Sequence, residues 1–353
     1  MDKPLPSCPR SQPSANYEQW FTMENTPNFD MCPTCYEGVF ADTPFAYYFK
    51  RRRPQELTIS RYCDFSSPWM RLAWLLTVKQ QRERPDLICA LARIFEKERP
   101  CPNEREIANG IWFGIPDPRD GRHIANFVVC PCDKAYLEAL FPSVRGYFTM
   151  IPPTDPRIAR KYTCSIRATS RRFPKYLDLL VDLDEEALKR NRPVNFEPFI
   201  QLARAHAFKG ECQRDKALFH KGWHFIPQLP EFTVCEECYD DVIRPADQDR
   251  NKLASMFFRA MQPLPDEDIE GTSCCLYSNR MRRVWDRVAH DEDFKYLKRK
   301  AVERKQEESR LNRRKRDLED YIERAGMYMQ GSVEVDKARR QLRDVEDEWK
   351  EWE

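Results

Sequence analysis

The feature that most constrains this chain is a Cys-x-x-Cys segment that occurs twice in the same frame. The first copy, residues 29–40, reads Phe-x-x-Cys32-x-x-Cys35-Tyr-x-x-Val, and the second, residues 232–243, reads Phe-x-x-Cys235-x-x-Cys238-Tyr-x-x-Val. A knuckle of this kind presents two sulfur atoms from one tight turn to a tetrahedral Zn²⁺ ion. We interpret the repeat as a duplicated metal-binding half-domain.

A second echo follows each knuckle and supplies a third cysteine. Residues 63–74 and 274–285, aligned without gaps, share the positions of a Cys, a Ser, a Met, an Arg and a Trp. This alignment selects Cys63 and Cys274 as metal ligands, and it prefers Cys274 to the adjacent Cys275.

The fourth ligand of each site stays open at this stage. Cys130, with Cys132 as its rival, and Cys212 are candidates, because Phe127-Val-Val-Cys130 is a third Phe-x-x-Cys that opens a predicted helix. His220 and His224, at helical i, i+4 spacing, are a weaker candidate pair. The two knuckles alternatively converge on one ion. Cys8 and Cys89 are expected not to be ligands, so that their replacement by serine is silent.

Composition and charge limit the classes of function. Lys and Arg (59) nearly cancel Asp and Glu (57), so no global charge attracts nucleic acid or an anionic membrane. The sequence shows no signal-peptide h-region and no long apolar run, which favours a nuclear or cytoplasmic location and no membrane partner. In a reducing compartment, paired cysteines are more often metal ligands than disulfides.

The predicted fold class is α+β and helix-rich, with short strands that carry the cysteine knuckles. We predict a disordered N-terminus (1–16), a first half-domain (17–150), a second half-domain (151–292) and a charged helical tail (293–353). Predicted helices cover 69–79, a segment beginning at 86, 174–190, 197–208, 215–224 and 252–261, and predicted strands cover 111–115, 124–129 and 161–167.

The predicted tail lacks proline and carries two apolar stripes at three- to four-residue spacing, Leu311 to Met329 and Val335 to Trp352. A break or helical hairpin is expected at Gly331-Ser332. Stripes this narrow suit a coiled coil or docking on another surface. We expect the tail to be separable from the folded core and to bind a protein partner or a second copy.

The segments around both knuckles, with Cys63-Asp-Phe-Ser-Ser-Pro-Trp and Arg172-Phe-Pro-Lys-Tyr-Leu-Asp-Leu-Leu180, also carry a resemblance. They are similar to a group of predicted cysteine-rich proteins of filamentous fungi, over most of residues 17–300. That group has no assigned activity, so the resemblance implies a family and no mechanism.

Three functions are compatible with these patterns. The favoured one is a zinc-stabilised, non-enzymatic interaction or scaffold protein. The alternative is a nucleic-acid-associated nuclear protein that uses the basic clusters 298–300 and 313–316 of the tail. The third is a thiol oxidoreductase acting through Cys-x-x-Cys, although no βαβ pattern surrounds either knuckle.

Overall fold

A computed structural model describes residues 4–15, 19–24, 26–52, 59–152, 160–265, 270–328 and 333–353. It confirms the predicted α+β, helix-rich fold class, because helices dominate and the strands form only small antiparallel sheets. The chain divides into two compact units, Met1–Phe208 and Lys209–Glu353.

The first unit contains three small sheets, and the α-helices described in it are between 7 and 18 residues long. Its strands are β1 (Phe21–Met23), β2 (Thr26–Met31), β3 (Phe49–Arg51), β4 (Ile107–Ala108), β5 (Phe113–Gly114), β6 (Thr149–Met150) and β7 (Lys161–Tyr162). Its helices are α1 (Pro33–Val39), α2 (Pro68–Lys79), α3 (Asp86–Lys97), α4 (Pro131–Leu140), α5 (Phe173–Arg190) and α6 (Glu197–His206). The strand order is β2-β1-β3 in the first sheet, and β4 pairs with β7 and β5 with β6.

Aromatic side chains form the core of the first unit. The rings of Phe40 and Trp74 lie 4.6 Å apart between centroids, beneath the first sheet. Trp69, near the start of α2, packs on both Tyr136 of α4 and Phe173 of α5. These buried contacts join the segment that follows the first knuckle to the segment around Cys130.

The second unit is built on one hairpin and a set of helices. Its strands are β8 (His224–Ile226) and β9 (Leu229–Val234). Its helices are α7 (Glu236–Cys238), which continues through a π-helical turn at Tyr239–Ile243 into α8 (Arg244–Gln248), then α9 (Lys252–Ser255), α10 (Asn279–Asp291), α11 (Phe294–Tyr328) and α12 (Val333–Trp352).

The C-terminal segment is an integral part of the second unit. Leu297 and Ala301 of α11 are buried in the same hydrophobic core as Trp285 of α10. The adjoining α11 residue Arg304 is also buried. The prediction of a separable tail therefore differs from the structure, because Leu297, Ala301 and Arg304, on successive turns of α11, are buried in the second unit. The predicted break at Gly331-Ser332 lies outside the described residues, and α11 and α12 on either side of it pack against each other.

The unit boundary also differs from the predicted half-domain boundary at residue 150. Cys164, beyond that boundary, packs beside Cys101 and Cys130, which precede it, so residues 160–208 belong with the first unit. The N-terminal segment predicted to be disordered makes specific contacts: Ser14 N–H donates to the Arg61 carbonyl at 2.9 Å, and Cys63 N–H donates to the Arg10 carbonyl at 2.8 Å.

The helix predicted over 215–224 is absent. Leu218 instead forms an antiparallel bridge with Thr272, and β8 begins at His224. Between them His220 has a φ of 52°, a left-handed conformation that an α-helix does not accommodate. Elsewhere the predicted helices 69–79, 174–190 and 197–208 coincide with α2, α5 and α6 within two residues.

Candidate metal centres

The first cluster consists of Cys8, Cys32, Cys35 and Cys63, whose Sγ atoms lie within 4.8 Å of one another. Strand β2 ends at Met31, immediately before the first knuckle cysteine, and the proline that follows this cysteine fixes the first residue of α1 in a helical φ. Two sulfurs of this knuckle therefore face the same side of the turn. Cys32 N–H donates to Cys63 Sγ at 3.3 Å, and Cys8 Sγ lies 3.7 Å from Cys32 Sγ.

Cys8 is the member that the sequence analysis placed outside the sites, so the expectation that it is uninvolved is corrected by the structure. Hydrogen bonds hold the chain in place on both sides of Cys8. The Arg71 guanidinium donates to the Pro6 carbonyl at 2.7 Å, and the Cys63 N–H donates to the Arg10 carbonyl. The available signal was its position 24 residues before Cys32, which is within one residue of the spacing of Cys212 from Cys235. The other cysteine expected to be uninvolved, Cys89, lies outside the clusters with its Sγ 3.8 Å from Met23 Sδ.

The third cluster, in the second unit, consists of Cys212, Cys235, Cys238 and Cys274, again within 4.8 Å of one another and all buried. The sequence analysis named all four. Cys275, the adjacent cysteine that the alignment did not select, lies outside the cluster, and its sulfur is 3.6 Å from Arg304 Nη1. The two knuckles lie in separate clusters, so the alternative of one ion shared by them does not hold.

The second cluster consists of Cys101, Cys130, Asp133 and Cys164. Cys130 was predicted to complete one of the knuckle sites, and the structure corrects this by placing it at the centre of a cluster of its own. Its rival Cys132 is buried outside the cluster, where burial raises the pKa of the thiol to about 12. Cys101, Asp133 and Cys164 were not predicted as ligands, although the third Phe-x-x-Cys at Cys130 was a usable signal.

One local frame builds all three clusters. In each, Cys32, Cys130 or Cys235 is the residue preceding a helix, with φ of −73°, −72° and −72° respectively. Each of the three donates its backbone N–H to the downstream cysteine, at 3.3 Å to Cys63, 3.4 Å to Cys164 and 3.5 Å to Cys274. Each is followed three residues later by the next cluster member. The described residues thus contain three copies of the frame, whereas two were predicted from the sequence.

In the second cluster, Asp133 occupies the position that the second knuckle cysteine, Cys35 or Cys238, occupies in the other two clusters. Its carboxylate is buried. Oδ1 accepts a hydrogen bond from Trp69 Nε1 at 3.1 Å, and Cys164 Sγ donates to Oδ2 at 3.1 Å. Burial is the largest cause of the raised pKa of this carboxyl. Carboxylate oxygen is also an accepted zinc donor, so the substitution keeps four donors around the centre.

Thiol–thiol hydrogen bonds separate the pKa values within the clusters. Hydrogen bonds from Cys35 and then Cys63 lower the pKa of Cys32 to about 2, and the same bonds raise the pKa of both partners. A hydrogen bond from Cys130 is the main cause that lowers the pKa of Cys101 to about 3. Each of these two clusters therefore favours one thiolate, and a bound cation would displace the protons on the remaining thiols.

The three clusters are geometrically suited to hold a metal ion. Zinc–sulfur bonds of about 2.3 Å in a tetrahedron place the sulfurs about 3.8 Å apart, and the donor atoms here lie within 4.8 Å of one another. The donors come from helix starts and turns that are already hydrogen-bonded in place. The chemistry of the donor sets, four thiols twice and three thiols with a carboxyl once, fits a thiophilic divalent cation.

The candidate histidine pair does not join these clusters. His224 lies in β8, where its Nδ1 is 2.9 Å from the Phe258 carbonyl oxygen and its ring stacks on Tyr239 at a centroid distance of 3.9 Å. His220 precedes the strand in a left-handed conformation. The predicted i, i+4 pair therefore has no helix to present it, and burial lowers the pKa of His224.

Comparisons of the chain with protein-family models, with curated proteins and with solved structures gave no match. Within the part of the chain that the structure describes, no helix has both the length and the apolar composition that a bilayer span needs. The geometry of the three clusters is therefore the basis for inferring a function.

Proposed function

We propose that this protein is a zinc-stabilised, non-enzymatic interaction protein that holds three zinc ions per chain. The observation that carries the proposal is the threefold frame, in which an N–H···S hydrogen bond fixes the cysteine that precedes each helix. Structural zinc sites are four-coordinate and rich in thiolate. Iron shares the preference for four sulfurs, so metal analysis decides between the two.

Burial of the knuckles supports a structural role over thiol exchange. Reactive Cys-x-x-Cys pairs expose a thiolate to the partner disulfide. Here Cys32, Cys35, Cys235 and Cys238 are all buried, and each pair belongs to a four-donor cluster. The knuckles are thus arranged to hold a metal ion and not to exchange thiols with the disulfide of another protein.

The distal part of the α11–α12 hairpin supports an interaction role. Leu311, Ala338 and Val345 are buried between or beneath the helices. Tyr321 of α11 keeps 43% of its surface exposed, and Val333 at the start of α12 keeps 76%. Exposed apolar and aromatic side chains on a helical hairpin suit a protein partner, either a different protein or a second copy of this chain.

The basic cluster of the tail gives less support to nucleic-acid binding. Its side chains have carboxylate partners within the chain: Arg313 and Arg316 with Glu270, Arg314 with Glu348, and Lys315 with Glu346. A phosphate backbone would have to compete with these carboxylates for the cations. Intramolecular pairing of this cluster therefore favours the protein-partner function.

Zinc content tests the first half of the proposal. Elemental analysis of the full-length protein, purified without added chelator, is expected to give three zinc ions and no stoichiometric iron. Cys8→Ser is expected to lower the content by one ion, because it removes one of four donors from the first cluster.

The matched control is Cys89→Ser, which changes a partly buried cysteine outside the clusters. It should keep all three ions. A protein that folds fully without metal, or an equal zinc content in the two variants, would contradict the assignment.

Partner capture tests the second half. The double variant Tyr321→Glu/Val333→Glu is expected to weaken binding of a partner identified with the intact chain by about tenfold or more, since aromatic interface residues commonly contribute over 1 kcal/mol. Binding would be measured with purified components, or by sedimentation if the partner is a second copy. Ile111→Glu, at another exposed apolar position, is the control. Unchanged affinity in the double variant would refute the role of the hairpin.

A further inference from the structure

The second cluster differs from the other two in its surroundings as well as in its donors. A cavity of about 390 Å³ lies beside it in the first unit, and Cys101 and Asp133 are part of the cavity wall. Trp69, Phe95 and Tyr136 contribute aromatic side chains to the wall, and uncharged polar residues such as Asn103 contribute to it as well. Two of the four residues of the cluster therefore line a space large enough for a small molecule.

We propose that the second cluster is a ligand-binding zinc site, in which a small nitrogen donor in the cavity replaces Asp133 on the metal. The inference rests on the proposed function to the extent that it requires zinc in this cluster. It goes beyond that function because it assigns an exchangeable position to one of the three ions.

The donor set makes Asp133 the exchangeable ligand. Thiolates from Cys101, Cys130 and Cys164 bind zinc strongly, whereas binding sites for substrates keep three protein ligands and leave the fourth position open to water or substrate. After displacement from the metal, the Asp133 carboxylate would still have a hydrogen-bond donor, because Trp69 Nε1 donates to Oδ1 at 3.1 Å. The Oδ1 bond can hold the side chain at the cavity wall while Oδ2 leaves the metal.

The charge of the site selects the class of ligand. Three thiolates and one Zn²⁺ leave one net negative charge after Asp133 has left. The described residues that line the cavity include two with carboxyl groups, Asp64 and Asp133, and none with a basic side chain. An anionic ligand would be repelled, whereas an amine or imidazole nitrogen on a compact aromatic or apolar body fits the donor preference of zinc and the aromatic wall.

Cobalt substitution provides the test, because Co²⁺ reports its coordination in its visible spectrum while Zn²⁺ does not. The full-length protein loaded with Co²⁺ would be titrated with imidazole at neutral pH. We expect a saturable change in the d–d bands whose amplitude corresponds to one of three ions, with cobalt content unchanged after the titration.

Two variants locate the response. Asp133→Cys converts the donor set to that of the other clusters and is expected to keep three cobalt ions and to lose the imidazole response completely. Ala168→Phe places a bulky side chain at the cavity wall and should weaken imidazole binding at least tenfold without loss of cobalt.

Three results would overturn the inference. A protein with three cobalt ions and no imidazole response has a closed second cluster, which leaves the proposed zinc function intact. A response that persists in Asp133→Cys comes from another site. A chain that binds only two ions, neither of them in the second cluster, refutes this inference together with the threefold zinc proposal.

Discussion

Cys238→Ser is expected to remove one zinc ion and to unfold the second unit. The Cys238 sulfur is buried in the hydrophobic core that contains Phe232 and Trp285, so loss of the ion leaves three thiols in an apolar interior. Structural zinc contributes on the order of 10 kcal/mol of folding free energy in small zinc domains, and whole small domains are stable by about 5–15 kcal/mol. The loss is therefore comparable to the entire stability of a unit of this size.

Limited proteolysis with zinc analysis measures this outcome. New cleavage sites should fall within Lys209–Glu353, while Met1–Phe208 remains resistant and retains two ions. Cys275→Ser is the matched control, because Cys275 is equally buried and adjacent in sequence to a cluster member but lies outside the cluster. If both variants keep the same zinc content and resistance, the four-cysteine assignment is wrong.

The sequence was sufficient to find those cluster members that repeat within a fixed frame. The knuckles and their echoes at Cys63 and Cys274 align without gaps, and the structure brings these residues together. Cys8, Cys101 and Cys164 were missed because their separations from the knuckles pass through segments of variable length, which a gapless comparison cannot follow. Cys8 also lies in a segment rich in proline, a composition that usually indicates disorder.

Asp133 was missed for a chemical reason. The second copy of the frame has replaced one thiolate with a carboxylate, and aspartate after a cysteine-bearing turn also has an ordinary role in the first turn of a helix. Only the contacts of Asp133 with Trp69 and Cys164 separate the two roles. The nature of a donor can change while the backbone that positions it is kept.

The packing of α11 was missed because hydropathy patterns do not reveal buried charge. Arg304 and Glu308 lie on the buried face of α11, between Ala301 and Leu311, so they separate the buried apolar residues at the start of the helix from the predicted stripe. A sequence in which these positions are charged predicts a solvent-exposed helix. The structure instead gives each buried charge a partner, which is the condition under which burial of charge is tolerated.

Arg304→Met is expected to destabilise the second unit by about 3–5 kcal/mol, the usual cost of breaking a buried ion pair. Only 1% of the Arg304 side chain is exposed. Its Nη2 donates to Ser273 Oγ at 2.8 Å, Nη1 to Glu308 Oε1 at 3.3 Å and Nε to Glu353 Oε1 at 2.6 Å. Removing the guanidinium leaves the buried Glu353 carboxylate without its cation, while Glu308 keeps only Lys305, whose Nζ lies 3.3 Å from Oε2.

The control for this prediction is Arg310→Met, two turns further along the same helix. Arg310 pairs with Glu307 and Glu348, but its side chain is 49% exposed, and exposed ion pairs contribute less than about 1 kcal/mol. Urea unfolding at pH 7, followed by tryptophan fluorescence, measures both free energies.

Tryptophan fluorescence also shows which part of the second unit is loosened by the Arg304 substitution. Trp349 of α12 donates its Nε1–H to Tyr277 Oη at 2.9 Å, beside the turn that carries Cys274. Arg304 donates hydrogen bonds both to Ser273, next to Cys274, and to Glu353, which follows α12. Its loss should therefore release α12 and expose Trp349 to a soluble quencher before the zinc is released. If Arg304→Met and Arg310→Met lose equal stability, or if quenching of Trp349 is unchanged, the buried arginine does not hold α12 in place, and the buried apolar side chains of α11 and α12 do so instead.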